Sequence, residues 1–488
     1  MDAVSIGNAL ASGSVTSTEL VDIYTERIHT MDRSGANINS IRVLNPNART
    51  AAASLDHERS LGYNRGPLHG LPFVVKDNFD VLGLSTTAGS AALAGSYPAR
   101  NAAVVRNLID AGAFVLGTTN MSELAASAGM YGYSSIAGWT RNPYNLDHTV
   151  YGSSSGTAAA VASRFAAFGL GTDTSGSIRA PASAAGLVGI RPTTGTVSLE
   201  GIMPHARSLD MPGPITVSGR DAALVLSIMT TDRATLRPQD CPRSLHRCRW
   251  DRTAVGVLQD YFGVDPEIDD AVSHAVRSMI ALGARVVDVE LPPALNHLAD
   301  NVVRPLSNYE FKFDIESYLS TLKSSPISSL SGLIAAIESS TSSPYPVNPR
   351  RLQGLRDAER VGSSRSSKEL RRHLLDRKIP YLRHTLQQVF AQNGLNVLVF
   401  PTVTRTAPQA LLGEDHAHHS ASENPYLPTY LGSATGHPEV TCPVGADSQN
   451  IPIGISLLGL PDTDHELLDL ASSLTAEMPV AERPRTVL

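Results

Sequence analysis

Apolar positions at Leu20, Val21, Ile23, Tyr24 and Ile28 follow helical spacing, so residues 18–32 predict an amphipathic helix. A shorter helix precedes it. The two meet at Gly13-Ser14, with Ser17 or Thr18 expected to cap the second before Glu19. Residues 47–61 predict another helix, rich in Ala and charged at its end. Within GPLHGLPFVVKDNFD (66–80), Phe73-Val74-Val75 reads as a short buried strand that ends on Lys76. Helix 101–112, strand 113–116 and a helix opening at MSELA (121–125) follow, and the alternation runs on through 158–190. Strands alternating with helices predict an α/β layout.

The texture changes beyond about residue 235. Residues 235–252 are polar and read as a loop, and 266–292 as a helix followed by a strand. Residues 305–390 read as mostly helical and Ser-rich, with a polar patch at 361–369. VLVFP (397–401) and PIGISLLG (452–459) read as buried strands. No internal repeat is visible. The chain is expected to be one α/β body over 1–488. A catalytic core segment would span 66–220, and a variable, mostly helical segment at 240–390 would shape the substrate entrance.

Composition narrows the function classes. Of 488 residues 42% are hydrophobic, which supports a sizeable core. A net charge of −6 and 5% aromatics give no sign of a nucleic-acid surface or a polybasic membrane patch. Cys241, Cys248 and Cys442 are too few and too scattered for a disulfide framework. The N-terminus has no basic region leading into an apolar one. The longest apolar run, 156–170, is broken by Ser163 and Arg164, short of the roughly 18 residues a membrane span needs. A cytoplasmic protein is the expectation.

Three segments carry candidate chemistry. Lys76 stands at a strand end. YGSSSGTAAAVAS (151–163) is a serine run entering an apolar helix. GLGTDTSGSIRAP (169–181) is too rich in Gly, Ser and Thr to lie inside a regular element. Ser153 and Ser177 are 24 residues apart, joined by that helix. These residue types suit acyl transfer. A serine hydroxyl is a weak nucleophile and needs a base. Lysine serves only when neutral, and burial lowers its pKa. A second serine can relay the proton, and glycines let backbone N–H groups converge on an oxyanion.

The set resembles the amidase signature family along almost the whole chain. The matching segments include GPLHGLPFVVKDN, VLGTTNMSELA, TRNPYNLDHTVYGSSSGTAAAVAS, GLGTDTSGSIRAPASAAGLVGIRPTTGTVSLEGIMP, SLDMPGPITVS, VLVFPTVTRTAP and IPIGISLLG. The resemblance implies a single large domain with a central twisted mixed sheet flanked by helices. It implies Ser177 as nucleophile, Ser153 after a cis peptide bond as bridging serine, and Lys76 as terminal base. Backbone N–H groups of Thr174, Ser175, Gly176 and Ser177 would form the oxyanion hole, with Ser154, Asp173 and Arg179 in support. Two positions depart from the family pattern: Tyr151 and Ser175 stand where glycine is usual. Residues 32–48, 65–78, 136–144 and 308–319 resemble bacterial peptide amidases in particular.

GSSSG (152–156) also satisfies the G-x-S-x-G nucleophile elbow, with Ser154 as nucleophile and His437 or His465 as base. That reading needs a strong strand before Gly152 and leaves Lys76 unused. HAHH (416–419) offers metal-ligand types in a polar loop. His465-Glu466 lacks the second histidine of a zinc-protease helix, and Gly169-x-Gly171 lacks the third glycine of a dinucleotide loop. No metal and no cofactor are implied. The expected partner is a small-molecule or peptide amide, with a homodimer left open. An acyltransferase, or one component of a larger amidotransferase complex, are the alternatives to a hydrolase.

Overall fold

The computed structural model describes residues 1–230, 250–339, 343, 345–410, 424–478 and 484. The expected loop at 235–252 and the HAHH cluster lie largely or wholly outside them. Among the described residues, eleven strands form one sheet. In chain order they are β1 (Ile41–Leu44), β2 (Pro72–Lys76), β3 (Phe114–Thr119), β4 (Phe168–Asp173), β5 (Val188–Arg191) and β6 (Met211–Thr216). β7 (Ala254–Leu258), β8 (Arg285–Val289), β9 (Val397–Pro401), β10 (Glu439–Ala446) and β11 (Pro452–Leu458) complete it. The spatial order is β1-β3-β2-β4-β6-β5-β10-β11-β9-β7-β8.

The sheet is mixed. β3, β2 and β4 run parallel, as do β9, β7 and β8, and the remaining neighbours are antiparallel. This is the single α/β domain expected, with helices on the sheet's faces. β2, β3 and β4 are buried along their whole length, and β2 and the first half of β3 read as continuous apolar runs rather than alternating ones. The expectation that 169–181 lies outside regular elements is overturned: residues 169–173 belong to β4 and 179–181 open a helix, leaving 174–178 as the turn. Gly169 and Gly171 sit in the strand because the helix Ser155–Ala162 and Ser154 before it pack too closely for a side chain. Because β2 and β4 are parallel neighbours, their carboxyl ends lie side by side. Lys76 ends one and Asp173 ends the other. Ligand sites in open α/β sheets gather at such ends.

Helix Ser155–Ala162 is buried on every side. Its small side chains make this fit, since a helix apolar all round can only be an interior one. Gly156 allows the closest approach: a Cβ there would stand 2.4 Å from the Asn120 carbonyl oxygen and 2.5 Å from that of Ser40. Helices Arg304–Leu319, Leu330–Ser339 and Pro349–Gly362 build a satellite core with Phe311, Ile315, Leu330 and Leu355, whereas Ile379–Asn393 shares a core with sheet residues Leu398 and Phe400.

Two local expectations change. The second helix is capped by Thr16, not Ser17 or Thr18. The Glu19 N–H donates to Thr16 Oγ1 at 3.1 Å, and the Thr16 N–H donates to Glu19 Oε2 at 2.8 Å. Ser17 and Thr18 instead direct their N–H groups to Asp56. MSELA does not open a helix. Leu124 and Ala125 take left-handed backbone angles, φ 53° and 59°, so the helix stops after one 3-10 turn. The buried Glu123 carboxylate accepts from Ser135 Oγ at 2.8 Å. Among the described residues, no helix is long and apolar enough to cross a membrane.

Candidate active site

Lys76 is fully buried, and three oxygens surround its amine. Ser153 Oγ lies 2.7 Å from Nζ, Thr172 Oγ1 2.8 Å and the Thr172 carbonyl oxygen 3.3 Å. Thr172 comes from β4, the parallel neighbour of β2, so the sheet itself delivers these acceptors. Burial pulls the Lys76 pKa down to about 7, against an upward pull from Asp173 and Asp210.

Ser153 is held by its backbone. The Gly152–Ser153 peptide bond is cis, as the resemblance implies. The Ser122 N–H donates to the Ser153 carbonyl at 3.1 Å, and the Ser154 N–H donates to the Ser177 carbonyl at 3.2 Å. That last bond ties the two serine segments together. Ser154 Oγ is buried and donates to the Thr172 carbonyl at 3.3 Å.

Ser177 sits where β4 turns into helix Arg179–Ala184. Asp173 organises the turn. Its Oδ1 accepts from the Gly176 N–H at 2.8 Å, and its Oδ2 accepts from the Ile178 N–H at 3.1 Å. Gly176 has φ +108°, and a Cβ there would meet Thr429 Oγ1 at 2.5 Å, so the position requires glycine. Ser175 has no such backbone angle, so its backbone tolerates a side chain.

A buried ion network holds Asp173 in turn. Arg179 donates from Nε to Asp173 Oδ2 at 3.0 Å and from its second amino group to Oδ1 at 2.8 Å. It also pairs with Glu439 and donates to the Thr429 carbonyl and to Ser433 Oγ. Arg191 donates to the Asp173 carbonyl. Burial alone would raise the Asp173 pKa, but Arg179 and Arg191 hold it well below the usual carboxylate range.

The structure brings together all nine residues singled out from the sequence. One expectation narrows: the Gly176 N–H donates to Asp173 Oδ1 and is engaged within the turn. Several neighbours went unnamed in the sequence reading. Asp210 accepts from Thr174 Oγ1, from the His205 N–H at 2.8 Å and from the Ala206 N–H at 3.0 Å. Its burial raises its pKa to about 6. Asn78 Nδ2 donates to Thr172 Oγ1 at 3.1 Å. Tyr426 and Thr429 reach the serine segments from more than 200 residues away, and no local pattern marks them.

A cavity of about 540 Å³ opens over Ser177, Ser175 and Gly152. Tyr131, Tyr426 and Tyr430 form one wall, and His205, Asp300, Arg304, Arg350 and Asn424 add polar groups. Burial and the Arg351 charge push the His205 pKa down to about 3, which keeps that imidazole neutral. Among the described residues, no group of three or more His, Cys, Asp or Glu side chains is placed to hold a metal ion.

The geometry does not favour the nucleophile-elbow reading. No strand leads directly into Gly152; residues 141–149 make only isolated bridges. His437 Nδ1 pairs with Thr435 Oγ1 at 3.0 Å, and His465 belongs to the helix Asp464–Thr475.

A family model described as Amidase matches residues 19–468. The chain is 31% identical over 472 residues to the mandelamide hydrolase of Pseudomonas putida, covering 94% of this chain and 87% of that one. It is 31% identical over 521 residues to a Glutamyl-tRNA(Gln) amidotransferase subunit of Synechococcus sp. (strain CC9902), covering 98% and 97%. Its fold matches that of the peptide amidase from Stenotrophomonas maltophilia with a TM-score of 0.86 at 31% identity, over 100% of this chain and 98% of that one.

Proposed function

The chain belongs to the amidase family and is an amide-hydrolysing enzyme, and on that premise we propose that it works through an acyl-enzyme on Ser177, with Ser153 and Lys76 as proton relay and base. The observation that carries this reading is the buried Lys76 amine 2.7 Å from Ser153 Oγ, beside a serine that opens onto the cavity. A neutral amine has two N–H bonds and one lone pair. The two Thr172 oxygens accept the N–H bonds, and the lone pair is left for the Ser153 hydroxyl. Ser153 gives its proton to Lys76 and takes the proton of Ser177 as the latter attacks the amide carbon.

The developing oxyanion rests on the N–H groups of Thr174, Ser175 and Ser177. Each such donor typically contributes about 2.7–4 kcal/mol to barrier lowering. Ser153 then returns a proton to the leaving nitrogen, which departs as ammonia from a primary amide. Water, deprotonated by the same relay, releases the acid. Asp173 and Arg179 keep the turn in shape and do not touch the substrate.

The substrate is a peptide amide or another small polar amide. The cavity wall supports this, since Asp300, Arg304, Arg350 and Asn424 suit polar acyl groups better than long hydrocarbon chains. Full-length similarity to a peptide amidase points the same way. Ammonia release from C-terminal peptide amides, short aliphatic amides, aryl amides and fatty amides tests the reading, with Ser177→Ala in parallel. Release from peptide amides that the substitution abolishes is the expected result. Activity that survives Ser177→Ala overturns the nucleophile, and preference for fatty amides overturns the substrate class.

A second reading follows from the amidotransferase relatives, which match along almost the whole chain. In that case the isolated protein would be inert on simple amides and act only beside a partner. Turnover by the purified chain alone decides between the two. Product analysis with an added amine separates hydrolysis from acyl transfer.

A further inference from the structure

The two serine segments are held by a third element that the proton relay does not use. Tyr426 Oη donates to the Gly152 carbonyl at 2.7 Å and accepts from the Gly152 N–H at 3.0 Å. One phenol thus satisfies both backbone groups of the residue before Ser153. Three positions on, Thr429 Oγ1 lies 2.7 Å from the Tyr426 carbonyl oxygen and 2.9 Å from that of Ser175, two residues before Ser177, so its single proton is shared between the two. The Thr429 carbonyl accepts from Arg179 at 2.9 Å, two residues after Ser177. Tyr426 and Thr429 are spaced by a 3-10 turn, Leu427–Thr429, so their relative positions are set by local backbone.

Packing fixes the Tyr426 ring. Tyr131 stacks on it with centroids 5.4 Å apart, and Tyr151 meets it edge-on at the same separation. Tyr151 is itself anchored, its hydroxyl lying 2.7 Å from the Arg405 carbonyl oxygen and 2.9 Å from that of Thr406. This gives the departure from glycine at position 151 a use: the ring forms one side of the slot that holds Tyr426. The other contact is with Gly176, where a Cβ would stand 2.8 Å from Tyr426 Cδ1.

We propose that Tyr426 and Thr429 form a brace that sets the placement of Ser153 relative to Ser177, which makes Tyr426 a positioning residue for acyl-enzyme formation. The proposal rests on the Ser177 reading above. Lys76 Nζ fixes Ser153 from the sheet side, and the Tyr426 hydroxyl fixes its preceding peptide from the cavity side. Without the hydroxyl, Ser153 retains the lysine contact and loses the backbone anchor that aims it. Misplacement by about 1 Å in such a relay costs on the order of 100-fold in rate. Tyr426→Phe keeps the ring, its stacking and the cavity wall, so substrate binding is expected to hold.

The test measures kcat and KM for an amide substrate and the rate of Ser177 sulfonylation by phenylmethylsulfonyl fluoride. The proteins are wild type, Tyr426→Phe, Thr429→Val, Thr429→Ser and Ser177→Ala, each with a melting curve. Tyr426→Phe is expected to lower kcat and the sulfonylation rate by about 10- to 100-fold while KM stays within about threefold. Thr429→Val is expected to lose rate in the same sense, and Thr429→Ser to restore it. Tyr426→Phe with full kcat and full sulfonylation overturns the brace. So does a rise in KM at unchanged kcat, because that is the signature of a lost substrate contact. If Tyr426→Phe does not fold, the Val and Ser pair at 429 decides alone: equal rates overturn the proposal. Sulfonylation or turnover in Ser177→Ala overturns the nucleophile reading instead, and so the two failures are distinct.

Discussion

The base assignment makes a quantitative prediction about pH. Burial takes Lys76 from 10.5 to about 7, a change of about 5 kcal/mol at 1.36 kcal/mol per unit. The amine works as a base only when neutral, so activity falls as pH drops through that value. For one proton, kcat/KM is expected to reach about 90% of its plateau at pH 8 and about 1% at pH 5. Asp210 supplies the discriminating perturbation. Its carboxylate raises the Lys76 pKa through space, and its own pKa is about 6, so it is charged where the lysine titrates. Asp210→Asn removes that charge and lowers the Lys76 pKa further. The acid limb of kcat/KM is therefore expected to move to lower pH, whatever happens to the plateau. The assay is ammonia release at constant ionic strength from pH 5 to 9 for both proteins. A limb that stays in place refutes the coupling. A limb that vanishes in Asp210→Asn shows that the aspartate, not the lysine, was the titrating group. A wild-type profile flat across this range removes Lys76 as the base.

Two further predictions concern the nucleophile turn. Gly176→Ala forces a Cβ against Thr429 Oγ1 at a φ of +108°, so it is expected to cost about 1–3 kcal/mol of stability and most of the activity, read by thermal melting and ammonia release. Arg179→Ala leaves Asp173 and Glu439 buried without their shared cation and is expected to destabilise the protein by about 3–5 kcal/mol, read by urea unfolding at pH 7.

Much of the strand framework was legible because it follows local rules. β2, β3, β9 and β11 are buried, and their apolar runs say so; β4 is equally buried, but its glycines and Thr172 hid it. The helix Ser155–Ala162 announces itself by having no polar face beyond its first turn. Cap identity was less legible: Thr16, Ser17 and Thr18 are all competent, and the choice fell to Asp56, which takes the N–H groups of the latter two from another helix. MSELA has helical propensity, yet Glu123 is drawn into a buried bond with Ser135 and the backbone turns left-handed after it. Such tertiary overrides leave no mark on a single window of sequence.

The sequence alone named the residues of the proposed site, because a lysine closing an apolar strand and two glycine-flanked serines are unusual enough to single out together. It also supplied a glycine at 176, where the folded turn has a φ of +108° that favours glycine. Tertiary structure decided how those groups are coupled. Parallel pairing of β2 and β4 carries Thr172 to the lysine, and complete burial lowers that lysine's pKa. Asp210, Tyr426, Thr429 and Glu439 reach the turn from distant parts of the chain. Their roles depend on distances that chain order does not encode, and a buried charge acquires its strength only from the low-dielectric surroundings that folding creates.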